Sequence, residues 1–209
     1  MIDVLSEYRA IPADKTPFRT TECLINRPSF KVTMEGIEID TFIQSLKHEY
    51  GNLQAVMEKE PFLDRALLML SMATAVKCMD WSEPRKTLDA CIDSVRSVTE
   101  YAVKLIDKWA PEGRFVFSKE EIPQDEWNQL FMNAQSMADE LLRLHMDTFG
   151  SDTEEKILHA YNETIFCLTY MISTACARSL DPDECVKYSI DCLNQVFGFI
   201  NEKCKRVEM

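Results

Sequence analysis

Glu155, His159 and Glu163 recur at intervals of four residues, so on a helix they share one stripe. A carboxylate–imidazole–carboxylate row of this kind could ligate a metal ion or pass a proton within a cleft between helices. Its spacing argues for something simpler. Carboxylate-bridged di-metal bundles use Glu-x-x-His on two helices, with further glutamates facing them. Here the interval is Glu-x-x-x-His, and the matching place on the other apolar helix offers only Asp64 and Arg65. The row therefore reads first as a salt-bridged surface stripe.

The eight cysteines (Cys23, Cys78, Cys91, Cys167, Cys176, Cys185, Cys192 and Cys204) contain no C-x-x-C pair. The three histidines, His48, His145 and His159, do not stand beside them, so zinc spacing is missing. Most of these cysteines fall on apolar helical stripes, where a reduced thiol acts as a small hydrophobe. His145 lies near a helix end and is expected to stabilise that terminus. His48 has no catalytic neighbour pattern. No nucleophile-elbow signature appears, and five glycines in 209 residues leave little for a phosphate-cradling loop or a Rossmann turn. Asp181-x-x-Glu184 sits where a helix cap explains it, and the eleven methionines read as core filling. No catalytic, metal-ligating or cofactor-binding residue is assigned on these grounds.

Charge is the stronger signal. The net charge is −12, but residues 1–110 carry 17 acids against 14 bases while residues 111–163 carry 12 against 4. Acids near helix N-termini oppose the macrodipole favourably and need no partner. The sharper reading is a partner-binding acidic face made of Glu120, Glu121, Asp125, Glu126, Asp139, Glu140, Asp147, Asp152, Glu154 and Glu155. Such a face speeds association with a basic protein and repels nucleic acid.

The elements that must carry these residues are helical. Apolar periodicity predicts helices over residues 39–58, 61–79, 83–109, 121–147, 152–179 and 182–205. Ser82, Ser118, Ser151 and Asp181 are the expected caps, the Ser118–Glu121 and Ser151–Glu154 pairs matching a capping box. Residues 1–37 differ: they hold Pro12, Pro17 and Pro28, and Phe30–Met34 and Ile37–Ile39 flank Glu35-Gly36 as a short β-hairpin would.

A shift of 98 residues pairs Leu70 with Leu168, Cys78 with Cys176, Pro84 with Pro182, Ile92 with Ile190, Asp93 with Asp191 and Val98 with Val196. About two such identities arise by chance at ordinary residue frequencies. The expected organisation is an N-terminal extended segment (1–37) followed by two three-helix units (38–110 and 111–209), related by internal duplication and packed as one all-α bundle. Ala66–Val76 and Ile165–Ala177 are apolar nearly all round, so their helices belong at its centre. Both runs are shorter than the roughly 20 residues a membrane span needs.

With no leader pattern and no membrane segment, a cytoplasmic location is expected. The function expected is a non-enzymatic inhibitor, such as an immunity protein, antitoxin or anti-defence factor, that blocks a basic partner with its acidic face. The alternatives are an all-α enzyme with a metal-assisted site at Glu155, His159 and Glu163, and a helical scaffold acting through self-association.

Overall fold

The computed structural model describes residues 39–110 and 113–205. Among them the chain forms α1 (Ile39–Lys59), α2 (Leu63–Cys78), α3 (Pro84–Lys104), α4 (Ile106–Trp109), α5 (Gln124–Phe149), α6 (Glu154–Arg178) and α7 (Pro182–Lys205). The fold is all-α. The expected β-hairpin at 30–39 falls almost wholly outside the described residues, and its last position, Ile39, opens α1.

The two all-apolar helices lie at the centre. Every residue of α2 except Arg65 is buried, and so is every residue of α6 from Thr164 to Arg178 except Phe166. Small residues make this close packing achievable, and several of their hydroxyls bond back within the helix. Ser71 donates to the Leu67 carbonyl at 2.7 Å, and Thr169 donates to the Ile165 carbonyl at 2.7 Å, each satisfying its polar atom inside its own helix. The amphipathic helices then cover the pair crosswise. From the first half, α1 and α3 pack on α6; from the second, α5 and α7 pack on α2, and α5 also reaches α6. The exchange is most complete for α2, whose cover comes mainly from the second half, whereas α6 is covered by α1 and α3 together with α5.

The offset of 98 residues recurs in the geometry. Ser71 and Thr169 are related by it, and so are the contacts Cys78 Sγ to Cys91 Sγ at 3.8 Å and Cys176 Sγ to Ser189 Oγ at 3.6 Å. Pro84 and Pro182 each open their helix. The correspondence stops at α1, which at this offset falls across the turn between α5 and α6.

Several helix ends differ from expectation. The run 83–109 is two helices, because Leu105 leaves helical geometry (φ −109°, ψ 10°) and lets the buried Trp109 turn its indole N–H onto the Ala102 carbonyl at 2.9 Å. A buried indole needs an acceptor, and a straight helix would carry it past one. Glu83, not Ser82, precedes α3, with Pro84 supplying a first residue whose missing N–H costs nothing. The Ser118–Glu121 capping box does not form: α5 begins at Gln124 after Pro123. The Ser151–Glu154 box is replaced by Thr153, whose hydroxyl accepts from the Lys156 N–H at 3.3 Å. At Asp181 the expected cap is present, with its carboxylate accepting from the Glu184 N–H at 3.1 Å.

The segment joining the halves is pinned rather than loose. Phe115 pairs in parallel with Ser179, donating to the Arg178 carbonyl at 2.8 Å and accepting from the Leu180 N–H at 2.9 Å. Arg178, 6% exposed, donates to the Gly113 carbonyl and lays its guanidinium 4.1 Å from the Tyr50 ring centroid and 5.6 Å from that of Phe115. Burial lowers its pKa from the usual arginine value. One cation thus ties α6, α1 and the connection together. Gly113 adopts φ +69°, and an added Cβ would stand 3.2 Å from Arg178 Nη2, so a side chain there would strain both backbone and clamp.

Candidate functional site

Nine of the ten acids divide into two groups by whether a base of α2 or α6 pairs with them. Arg65 points outward from an otherwise buried helix and meets Asp64 at 3.3 Å, Glu120 at 3.7 Å and Glu126 in a short contact through Nε. These acids strengthen its positive form, and the Glu126 hydrogen bond raises its pKa most. The Glu120 backbone N–H also donates to Asp64 at 3.3 Å. Lys77, 4% exposed, reaches Asp139 at 2.6 Å and Asp80 at 3.5 Å, with the Tyr161 ring 6.0 Å away. Asp152 pairs with Lys156 at 2.8 Å, which lowers its pKa. Glu120, Glu126, Asp139 and Asp152 are therefore already engaged inside the molecule.

Glu121, Asp125, Glu140, Asp147 and Glu155 form no ion pair among the described residues, and all five side chains are exposed. Asp125, Glu140 and Asp147 project from the outer face of α5; Glu121 precedes that helix, and Glu155 lies in the first turn of α6 alongside Glu154. Asp125 and Glu154–Glu155 also sit at the positive ends of their helices, which holds their charge in place at no packing cost.

The Glu155–His159–Glu163 row is a surface feature. His159 Nδ1 lies 3.9 Å from Glu163, its ring meets Phe149 edge-on at 4.3 Å, and its side chain is 51% exposed. Among the described residues no three His, Cys, Asp or Glu side chains group as metal ligands would. His48 is exposed on α1. His145 departs from its expected role at the helix end. Thr164 donates its proton to the Ala160 carbonyl at 2.8 Å, so the 2.9 Å contact makes His145 Nδ1 the donor to Thr164. Burial, and then the charge of His159, push the His145 pKa down, so its ring is neutral at pH 7 and brings no cation to the helix end.

Pattern reading missed a polar cluster between α1 and α6. Glu49, 6% exposed, accepts from Asn52 Nδ2 at 3.0 Å and from the Cys167 thiol at 3.1 Å. Burial first, then Glu49, raise the Cys167 and Tyr170 pKa values, keeping both groups protonated. Cys185 and Cys192 are likewise pushed up by burial, to about 11 and about 12. These are unreactive thiols at neutral pH. Glu49 carried no signal in the sequence, because a glutamate on an amphipathic helix looks solvated until its neighbour across the interface is known.

No helix among the described residues is long and apolar enough to cross a membrane. Comparison with protein-family models, with curated proteins and with solved structures returned no match.

Proposed function

We propose that this chain is a non-enzymatic inhibitor of the immunity-protein, antitoxin or anti-defence type, which blocks a basic partner protein with the outer face of α5 and the start of α6. The observation that carries the reading is the set of five exposed acids, Glu121, Asp125, Glu140, Asp147 and Glu155, without ion pairs among the described residues where neighbouring acids are neutralised internally. Uncompensated negative charge on one face steers a positive surface and fixes its register. A cytoplasmic location belongs to the same reading.

Duplication of an ancestral helical unit is part of the proposal. It is supported by the repeated Ser71/Thr169 hydrogen bonds, by the repeated sulfur contacts and by the crosswise packing. On this view the halves keep a common core while the second has acquired the acidic face.

The test is the complex recovered with the full chain from its native host, followed across ionic strength. Reversing Asp125, Glu140 and Asp147 to lysine is expected to abolish the complex while leaving the helical signal intact. Wild-type binding should weaken steeply between low and physiological salt. A complex indifferent to both treatments would remove the acidic face from the function. A metal-assisted enzyme and a self-associating scaffold are outcomes of the same preparation. Stoichiometric metal lost on His159→Ala would favour the first, and a homo-oligomer by light scattering the second.

A further inference from the structure

The α2–α3 hairpin holds two thiols in contact where the second half holds only one. Cys78 is the last residue of α2 and Cys91 lies in the second turn of α3; both are fully buried, with their Sγ atoms 3.8 Å apart. At the positions 98 residues later, Cys176 faces Ser189, a pair that cannot form a disulfide. We infer that Cys78 and Cys91 form a redox latch, in which a peroxide oxidises the pair to a disulfide that ties the end of α2 to α3.

The chemistry balances in two steps. One thiolate attacks the peroxide O–O bond, giving a sulfenic acid and releasing hydroxide, which the displaced thiol proton converts to water. The second thiol then attacks the sulfenic sulfur, forms the S–S bond and releases a second water. Two electrons from the two sulfurs have reduced one peroxide. The sulfurs must close from 3.8 Å to about 2.05 Å, which takes side-chain rotation and a shift of the helix end.

Access comes from the position of Cys78. It closes its helix, and the following turn, Met79–Glu83, includes half-buried and exposed residues. A final helical turn opens at lower free energy than the middle of a buried helix. The same turn carries Lys77, whose ammonium grips Asp139 on α5. Fixing it therefore restrains the α2–α5 contact as well as the hairpin. This inference stands on the sulfur geometry and does not rest on the proposed inhibitor role.

The experiment exposes the folded full chain to hydrogen peroxide, alkylates the remaining thiols and maps the tryptic peptides by mass spectrometry. Arg85 and Lys86 lie between the two cysteines, so trypsin separates them unless they are joined. The expected result is a Cys78–Cys91 cross-linked pair from native protein, absent in Cys91→Ser, with a higher melting temperature that dithiothreitol reverses. Cys91→Ala is the second control should the serine variant fail to fold. The latch is overturned if no cross-link forms in folded protein, if it forms only after denaturation, or if Cys78 pairs indiscriminately with other cysteines. It is equally overturned if the cross-linked protein melts no higher than the reduced one.

Discussion

Lys77 shows how a single residue fits an apolar centre. Its side chain is 4% exposed, so the ammonium is buried with its methylene stem and is held by Asp80 and Asp139. Removing Asp139 takes away the nearer acid of a buried charge; removing the charge does not strand Asp139, which is largely exposed. Asp139→Ala is therefore expected to cost about 1–3 kcal/mol, and Lys77→Met less than that despite deleting the same ion pair. Urea denaturation of the two variants decides it, and the reverse order would contradict this account. His145 makes the complementary case for pH. Its folded pKa is depressed, so near pH 6 the unfolded chain binds the proton more readily. Stability is expected to fall as pH drops through the unfolded histidine range, near 6.5. His145→Asn should flatten the pH 5–7 slope of the melting temperature; an unchanged slope would assign it to another group.

At the scale of elements, helix interiors were legible, and helix ends only in part, with Asp181 capping α7 where expected. Period and composition locate α1, α2, α6 and α7 to within a few residues, since an apolar stripe can be read without knowing what covers it. Ends are set by competition between nearby candidate caps. Thr153 displaced Ser151, and the 113–123 connection was drawn into pairing with Ser179, which delayed α5 past Ser118. Thr153→Ala and Asp181→Ala are each expected to cost about 1 kcal/mol. Ser118→Ala and Ser151→Ala should each change stability by less than about 0.5 kcal/mol. Chemical denaturation of the four single variants tests the assignment. The candidate site shows the same division: acid identities and their helix were readable, but which acids Arg65 and Lys77 neutralise was not.

The whole molecule is defined by the exchange of covering helices between halves. Because α5 and α7 supply most of the cover of α2, and α1 and α3 complete the cover that α5 begins on α6, the first half cannot bury its apolar helix alone. Unfolding is expected as one cooperative transition. Far-ultraviolet dichroism and the fluorescence of Trp81, Trp109 and Trp127, which sample both halves, should share a midpoint. Separate midpoints would show that the halves are independent.

The sequence by itself determined the all-α class, the two central helices and the concentration of acid in residues 111–163, because each depends on residue type and local period alone. The tertiary structure decided which half covers which, which acids remain unpaired, where Trp109 breaks a helix, and that Glu49 and Cys167 meet. Each of those depends on side chains far apart in the chain competing for the same buried partner, and that competition leaves no trace in local spacing.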